Sequence, residues 1–282
     1  MNKKETSWGG VAGWYDEMLE KQDGTYQKEV ILPNLLRLLS PNSAQTPTQT
    51  GNNSVKNIAH ARPLTGQVIL DLACGQGFFS RAYASAGAKV VASDIAKELI
   101  SLAQSHTPND LKSMIEYHVS PADQIDSCKD ASIDTITIIL AIQNIENLYG
   151  VFRECARVLK PGGRLILVLN HPAFRIPKRS SWEWGNSGRS QYRRIDAYMS
   201  DTRERIEMNP GEDAPTSKKF TVSFHRPLQV YFKTFAKTGL AVTRLEEWVS
   251  HKTSKVGPRS EEENRIRKEI PMFLFLEAKK LG

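Results

Sequence analysis

Between residues 66 and 170 short apolar runs alternate with stretches that have helical spacing. The apolar runs have the length and the aliphatic or β-branched composition of strands, and they are 67–72, 88–93, 114–119, 133–141 and 164–169. The stretches between them are predicted helices, at 77–86, 96–105 and 145–159. Because alternation of this kind is typical of a parallel sheet with helices on both faces, we expect an α/β, Rossmann-like fold.

The two ends of the chain depart from this rhythm. Residues 14–39 are predicted to be helical with a break or kink at Pro33, and we assign 1–39 to an N-terminal helical lid. Residues 40–65 are poor in apolar side chains and rich in Ser, Thr, Asn, Gln and Pro, which predicts a flexible linker or surface insertion. The remainder, 66–282, is predicted to form one domain of the size of a small enzyme.

An irregular block at 171–226 interrupts this domain. It contains many charges, a glycine-proline break at 209–215 and the alternating stretch FTVSF, which favours short antiparallel strands. Such a block between core strands is expected to cover a site as a cap. A helix at 227–238, a strand at 240–249, a polar segment at 250–269 and a last strand at 271–278 are predicted to follow.

Composition narrows the class of protein. No apolar stretch reaches the roughly 18–20 residues that a membrane span needs, and the first ten residues, MNKKETSWGG, lack the apolar segment of a secretory signal. The three cysteines are odd in number and far apart, which indicates neither a disulfide framework nor a metal site. We therefore expect a cytoplasmic protein without a membrane span or a bound metal, and the sequence leaves the oligomeric state open.

The positive charge lies in the second part of the chain. Residues 1–170 hold 16 basic and 17 acidic side chains, whereas 171–282 hold 22 and 14. A basic region of this kind attracts nucleic acid or an anionic substrate, although its charges are interleaved with acids, as on an ordinary solvated face.

The segment VILDLACGQGFF at 68–79 is a strand that breaks on glycines and opens a helix, as in nucleotide-binding α/β proteins. Gly75 and Gly77 fit the first two glycines of the dinucleotide fingerprint, but its third position is Ser80. Asp94 ends the second predicted strand, where a carboxylate can accept both ribose hydroxyls or cap the following helix. No Gly-Lys-Ser/Thr follows the loop, which excludes a P-loop.

Two acids favour a cationic ligand over a pyrophosphate. Asp71 lies inside the first predicted strand, where it would repel an anionic pyrophosphate and attract an ammonium or sulfonium group. Asp123 follows the third strand, where a carboxylate can accept from an adenine amino group or cap a short helix. The interpretation that the loop binds the nicotinamide cofactor of a dehydrogenase is therefore the least favoured.

The segments VILDLACGQGFFSRAYA, VVASDIAKELI, SPADQI and VLKPGGRLILV resemble, in order and spacing, the motifs of class I S-adenosylmethionine-dependent methyltransferases. FHRPLQVYFKTFAKTGLAVTRLEEW is similar to the sixth-strand region of the branch that acts on small molecules. The resemblance implies a seven-stranded sheet whose antiparallel last strand, PMFLFLEAKK, lies next to the fifth. It also implies S-adenosyl-L-methionine as the cofactor.

The resemblance assigns the cofactor-binding residues by position. The methionine half is expected to contact the first loop, at Asp71, Ala73, Cys74, Gly75 and Gly77. The ribose and adenine are expected to contact Asp94, Ile95, Ala122 and Asp123, with Leu140 below the sulfonium and Tyr15 of the lid closing over the cofactor.

Substrate contacts are expected where the fourth and fifth strands end and in the cap. The candidates are Gln143, Asn144, His171, Tyr192 and His225. His171 is the candidate general base, although an imidazole bonded to a loop backbone fits its position equally well; His225 fits a structural role better. We expect methyl transfer to an O, N or C atom of a small molecule. An RNA or protein methyltransferase that uses the basic cap, and a catalytically inactive cofactor-binding homologue, remain as alternatives.

Overall fold

The computed structural model describes residues 8–40, 62–208 and 218–282. Most of the predicted linker at 40–65, and the glycine-proline break at 209–215, lie outside the described residues.

A seven-stranded sheet forms the centre of the molecule. Its strands are β1 (Val68–Leu72), β2 (Lys89–Asp94), β3 (Ile115–Val119), β4 (Ile133–Ile139), β5 (Leu159–Asn170), β10 (Leu240–Trp248) and β11 (Phe273–Lys280), in the order β10-β11-β5-β4-β1-β2-β3. β1 to β5 pair in parallel, whereas β11 is antiparallel to both β5 and β10. The predicted fold, including the antiparallel last strand beside the fifth, is therefore confirmed.

The chain order reverses between β1 and β4. From β1 it proceeds outward through β2 and β3, and it then returns to place β4 on the other side of β1. In open α/β sheets the carboxyl ends of the strands diverge at such a switch point and leave a crevice that binds ligands. The topology therefore locates the candidate site above β1 and β4.

Helices cover both faces of the sheet. They are α1 (Ala12–Lys21), α2 (Leu32–Leu39), α3 (Phe78–Ser85), α4 (Lys97–His106), α5 (Leu148–Val158), α6 (Leu228–Lys237) and α7 (Ser260–Glu269). α2, α3 and α4 contribute to one buried apolar cluster, and α5 and α6 contribute to the other. In the second cluster the rings of Phe152 and Phe235 stack with their centroids 4.4 Å apart. The strands between two apolar layers are consequently hydrophobic on both faces.

The N-terminal helical segment is broken once. α1 ends at Lys21, and a π-helical turn, Gln27–Ile31, leads directly into α2. The predicted break or kink at Pro33 is not a break, because the helical run continues past it to Leu39, with the π-helical turn directly before α2. The break at residues 22–25, where Gly24 has a φ of 67°, was not predicted.

The block between β5 and β10 contains two separate hairpins. β6 (Ser180–Trp184) pairs with β7 (Gln191–Ile195), and β8 (Thr202–Glu207) pairs with β9 (Phe220–His225). α7 occupies the end of a segment that was predicted only to be polar. Its surface is so charged that only Ile266 is buried, and so it carries little hydrophobic periodicity. Among the described residues, no helix is both long and apolar enough to cross a membrane.

Candidate functional site

A cavity of about 510 Å³ lies at the switch point, between the carboxyl ends of β1, β2 and β4, helix α1 and the β8–β9 hairpin. Its volume falls in the range of roughly 300–1,000 Å³ that is common for small-molecule sites. Most of the residues predicted to bind a ligand line it, namely Tyr15, Asp71, Ala73, Cys74, Gly75, Asp94, Ile95, Ala122, Asp123, Leu140 and Asn144.

The loop after β1 forms the floor of this cavity in an unusual backbone conformation. Ala73 and Gly75 have φ angles of 58° and 59°, in the left-handed region that non-glycine residues rarely adopt. The loop is fixed to β2 by a hydrogen bond of 3.0 Å from the Cys74 N–H to the Ser93 carbonyl. Across the cavity Leu140 also has a positive φ, 54°. Such left-handed residues are costly and concentrate where a ligand is bound.

Asp94 connects the glycine loop to the helix that follows β2. Its Oδ2 accepts from the backbone N–H of Gly75 at 3.0 Å, and its Oδ1 accepts from the N–H of Ala96 at 2.9 Å. Each carboxylate oxygen can accept a further bond, so hydroxyls of a ligand in the cavity can bind the same group. Burial raises the pKa of Asp94, and the backbone bonds oppose that shift. Asp94 is not the N-cap of the following helix, because that helix begins at Lys97 with Ala96 as its N-cap; the carboxylate instead fixes the turn before the helix and faces the cavity.

Asp71 is a buried carboxylate without a cationic partner among the described residues. Its Oδ2 accepts from the Ser80 hydroxyl at 2.5 Å and its Oδ1 from the Thr137 hydroxyl at 3.1 Å. Burial raises its pKa to about 6, and the nearby charge of Asp94 adds to the shift. A cationic ligand would offset this cost, whereas a pyrophosphate would bring further negative charge to two acids. The donor set therefore fits S-adenosylmethionine, whose methionine end carries an ammonium and a sulfonium group.

Gly77 does not line the cavity, in contrast to its predicted role. It has a φ of 79° and caps the start of α3. A Cβ there would lie 2.7 Å from the Tyr117 hydroxyl oxygen and 3.0 Å from the Ala103 Cβ. The second glycine of the loop therefore allows β3 and α4 to pack closely against the turn, which its place in the motif does not reveal.

Helix α1 covers the glycine loop and is fixed by polar contacts at its carboxyl-terminal end. Glu20 pairs with Arg81 at 2.5 Å and accepts from the Gln76 side chain at 3.0 Å, and Asp16 pairs with His106 at 2.8 Å. Potential ligand atoms of Asp16, Glu20 and His106 lie within 4.8 Å of one another. Because Arg81 already neutralises Glu20, we interpret this group as a contact that fixes the lid.

The Tyr15 ring lies directly over the loop. A Cβ on Gly75 would be 3.5 Å from Tyr15 Cε1, and the Trp8 ring packs edge-on against Tyr15 with the centroids 5.5 Å apart. Burial raises the pKa of Tyr15 to about 12, so the phenol stays neutral at physiological pH. Tyr15 therefore lines the loop side of the cavity with a neutral aromatic ring.

The opposite wall is apolar and comes mainly from residues that sequence reasoning did not assign. Val222 and Phe224 of β9 form it with Ile145, while Arg203 of β8 adds a guanidinium group. The Asn144 side chain donates to the Val222 carbonyl at 2.8 Å and so connects this hairpin to the end of β4. The alternation in FTVSF does place Val222 and Phe224 on one face, but it gives no information about which surface that face contacts.

His171 lies outside the cavity. It is buried, and its Nε2 is 2.8 Å from the Glu247 carboxylate on β10, while its Nδ1 accepts from the Ala173 N–H. Because Nδ1 is an acceptor, Nε2 carries the proton and donates it to Glu247. The placement of His171 at the mouth of the site is therefore wrong: β11 and β10 adjoin β5 on the side away from β4, and the imidazole reaches that side.

Three more predicted substrate contacts also lie outside the cavity lining. Gln143 donates to the Leu140 carbonyl at 2.7 Å and so stabilises the turn after β4. His225 lies 2.8 Å from the Tyr198 carbonyl, in the structural role favoured for it, and Tyr192 donates to Glu183 within the β6–β7 hairpin. Only the second hairpin of the predicted cap covers the cavity.

Comparison with known proteins identifies the domain. Residues 70–167 match the family described as a methyltransferase domain. A ubiquinone biosynthesis O-methyltransferase from Xanthomonas euvesicatoria is 35% identical over 106 residues, which cover 37% of this chain and 43% of that protein. The chain thus spans less than half the length of the curated relatives it matches.

Solved structures agree on the fold. An S-adenosylmethionine-dependent methyltransferase from Mesorhizobium loti superposes with a TM-score of 0.60 at 24% identity, over 77% of this chain and 92% of that chain. The [4+2]-cyclase SpnF superposes with a TM-score of 0.54 at 15% identity, over 99% of this chain and 98% of that chain. Likeness at this level shows the fold alone, and the second structure is named for a different reaction.

Proposed function

We propose that this chain, whose core is a class I S-adenosylmethionine-dependent methyltransferase domain, transfers a methyl group to a small-molecule acceptor held under the β8–β9 hairpin. The observation that carries the proposal is the division of one cavity into two chemically different sides. The side formed by the glycine loop contains two buried carboxylates, and the other combines the apolar side chains of the β8–β9 hairpin and Ile145 with the Arg203 guanidinium and the exposed Glu146 carboxylate.

On the first side, the residues orient a cationic amino-acid end and a ribose. Asp71 carries uncompensated negative charge, which attracts the cation, and Asp94 keeps free acceptor sites for hydroxyls while it fixes the loop. When bound there, S-adenosylmethionine supplies an electrophilic methyl group that a nucleophile can displace in line. The main task of the protein is then to orient the acceptor and to exclude water from it.

On the second side, the described residues that line the cavity include neither histidine nor lysine. Their cationic side chain is Arg203, which has no hydrogen bond or ion pair with another described residue. A guanidinium group there favours an acceptor that carries negative charge, and Phe224 and Val222 favour a planar apolar body. An ionised hydroxyl on an aromatic ring meets both conditions and needs no strong base.

The relative from Xanthomonas gives independent support for oxygen as the acceptor atom. Its name describes an O-methyltransferase of ubiquinone biosynthesis, and it is 35% identical to this chain over 106 residues. We therefore propose an aromatic hydroxyl compound as the acceptor class.

A nucleic-acid substrate receives less support. The exposed basic and aromatic side chains of the β6–β7 hairpin do not line the 510 Å³ cavity, and no lining residue comes from that hairpin. To reach the methyl group, a nucleobase of such a substrate would have to enter under the β8–β9 hairpin, away from the basic surface of the β6–β7 hairpin. The same distribution argues against a protein substrate that uses the basic surface.

The test is S-adenosylhomocysteine production with a panel of catechols and hydroxybenzoates, with matched anilines and thiophenols for comparison. We expect turnover with hydroxyl acceptors, and we expect Phe224→Ala to raise their KM about tenfold or more. Phe220→Ala removes an aromatic ring from the same strand but outside the cavity lining, and it should leave KM within about twofold. If only the anilines or thiophenols are methylated, the proposal that oxygen is the acceptor atom is rejected. Equal KM changes in the two variants would reject the placement.

A further inference from the structure

A second cavity, of about 170 Å³, lies near the carboxyl-terminal end of β5 and shares no lining residue with the first. The β6–β7 hairpin forms one wall through Trp182 and Arg193. The segment before the π-helical turn contributes Tyr26, and the loop into β11 contributes Met272. Three arginines line it, Arg175, Arg193 and Arg267, and no carboxylate does.

Arg175 has no partner of opposite charge. Its half-buried guanidinium makes no hydrogen bond or ion pair with another residue in the described parts of the chain. Burial lowers its pKa, and the neighbouring Tyr26 phenol opposes that shift only in part. A guanidinium group that has lost water without gaining an acceptor is unfavourable, and arginine cannot relieve the cost by losing its proton at neutral pH.

Arg193 is held in place by neutral groups. Arg193 donates to the Phe174 carbonyl at 2.8 Å and to the Ser180 hydroxyl at 2.7 Å, and it stacks on Trp182 at 5.0 Å. Burial lowers the pKa of Arg193, and the positive charge of Arg175 lowers it further, which means that the two guanidinium groups repel each other. These contacts pre-organise the positive charge without neutralising it.

Arg267 completes the group from α7. It donates to the Ser254 hydroxyl, and the nearest Glu263 oxygen lies 4.0 Å from its Nη2, on the same helix. Close by, the Lys252 ammonium lies 5.1 Å from the centre of the Tyr26 ring. The cavity thus combines an excess of fixed positive charge with two aromatic walls.

We propose that this cavity is a second ligand site, which binds the phosphate-type oxyanion of a small molecule. Guanidinium groups present several N–H donors in a planar fork that matches tetrahedral oxyanions, and three of them around one small cavity can satisfy a dianion. The volume of about 170 Å³ admits a phosphate group, and Tyr26 and Trp182 offer aromatic surface to the rest of a small ligand. An aryl or nucleoside phosphate fits this shape.

The enclosed shape favours a small molecule over RNA. A nucleic-acid surface tracks many phosphates along an open groove. Here the three guanidinium groups converge on a space of about 170 Å³ between three segments of the chain. The inference does not rest on methyl transfer, because no residue of this site belongs to the proposed cofactor cavity.

The test is calorimetric titration of the full chain with inorganic phosphate and with phenyl phosphate, at low and at moderate salt. We expect saturable one-to-one binding of phenyl phosphate, and binding at least tenfold weaker in Arg175→Gln. If inorganic phosphate binds as tightly as phenyl phosphate, the site is assigned to the free oxyanion. If inorganic phosphate binds more weakly than phenyl phosphate, the site is assigned to an aryl or nucleoside phosphate. Arg175→Gln is a suitable variant because its side chain supports no other described residue.

Arg179→Gln is the matched control, since Arg179 is exposed, lies four residues away and does not line the cavity. It should bind phenyl phosphate like the unmodified chain, and S-adenosylhomocysteine affinity should be unchanged in both variants. The proposal is overturned if phenyl phosphate gives no saturable heat or binds Arg175→Gln equally well. Retention of an RNA oligonucleotide that Arg175→Gln abolishes, without phenyl phosphate binding, would assign the surface to nucleic acid instead.

Discussion

The backbone N–H of Gly75 donates to the carboxylate of Asp94 across 3.0 Å, although the two residues are 19 positions apart in the chain. This bond joins the loop after β1 to the end of β2, so one acid both shapes the loop and faces the cavity. The proposed cofactor site is therefore a single unit of loop and carboxylate. Its geometry is set by parallel pairing of the strands that precede them.

Asp71→Asn should stabilise the ligand-free protein at neutral pH. Because burial holds the pKa of Asp71 at about 6, above its unfolded value, its contribution to stability is fully present below about pH 4. That contribution is lost as pH rises through 6. We expect the variant to gain on the order of 1–3 kcal/mol in free energy of unfolding at pH 7.5 and little at pH 4.5, measured by urea denaturation.

Asp110→Asn, at an exposed acid, is the control and should show no such pH-dependent gain. The variant Asp71→Asn should also bind S-adenosylmethionine at least tenfold more weakly, because it removes the charge opposite the cation. If Asp71→Asn is less stable than the unmodified chain at pH 7.5, the buried, ionised carboxylate of Asp71 does not lower the free energy of unfolding.

Gly77→Ala should destabilise the fold without changing the shape of the cavity. The alanine would need a positive φ, and its Cβ would meet the Tyr117 hydroxyl at 2.7 Å. Gly188→Ala is the matched control, because its φ is 67° and nothing lies within 4 Å of the added carbon. We expect about 1 kcal/mol of destabilisation for Gly188→Ala and about 2–4 kcal/mol for Gly77→Ala, from thermal and urea unfolding. Equal losses would mean that Tyr117 moves aside freely.

His171→Ala should affect stability more than methyl transfer. The imidazole is buried between Glu247 and the Ala173 N–H, and its loss leaves those groups unpaired. We expect a loss of about 1–3 kcal/mol in free energy of unfolding, with kcat within about twofold of the unmodified chain. His251→Ala, at an exposed histidine, controls for the substitution itself. A hundredfold loss of kcat at unchanged S-adenosylhomocysteine affinity would restore His171 as the general base.

The buried imidazole of His171 should make the free energy of unfolding depend on pH. Burial lowers its pKa below the usual value of 6.5, so the unfolded chain binds a proton more readily than the folded one. Its contribution to stability is therefore present above pH 6.5 and declines as pH falls below it. The difference in free energy of unfolding between the unmodified chain and His171→Ala should shrink as pH falls from 7.5 to 5.

Tyr15→Ala should weaken cofactor binding, whereas Tyr15→Phe should not. The ring lies over Gly75 and the phenol stays neutral, so the proposed contribution of Tyr15 is its surface rather than its hydroxyl. We expect S-adenosylhomocysteine affinity to fall about tenfold in Tyr15→Ala and by less than threefold in Tyr15→Phe, as measured by calorimetry. Tyr149→Ala, at a half-exposed tyrosine, should change nothing. If Tyr15→Ala and the unmodified chain bind S-adenosylhomocysteine with equal affinity, the Tyr15 ring does not contribute to the cofactor site.

The sequence predicted the sheet because its strands are buried on both faces and alternate with helices over one continuous stretch. The loop after β1 and Asp94 were predictable for the same local reason, since a strand, a tight turn and a helix follow within twelve residues. Gly77 shows the limit of this reasoning. A positive φ can be read from a glycine in a turn, but its contact with Tyr117 depends on how α4 and β3 pack.

The second side of the cavity could not be predicted in the same way. Val222, Phe224 and Arg203 come from a hairpin that begins more than 30 residues beyond the core motifs. Their alternation fixes which residues share a face and not which surface that face covers. His171 failed for a related reason. Its place after β5 is correct, but the partner that directs the imidazole, Glu247, is supplied by a strand two positions away in the sheet.

The most direct test of the account is calorimetric titration of the full chain with S-adenosylmethionine, S-adenosylhomocysteine and NAD, alongside Asp94→Ala. We predict micromolar binding of the first two ligands, no binding of NAD, and loss of binding in the variant, whose folding is checked by circular dichroism. Binding of NAD alone would contradict the account. The glycine loop would then hold a pyrophosphate beside Asp71 and Asp94, and their buried negative charge would have been misread.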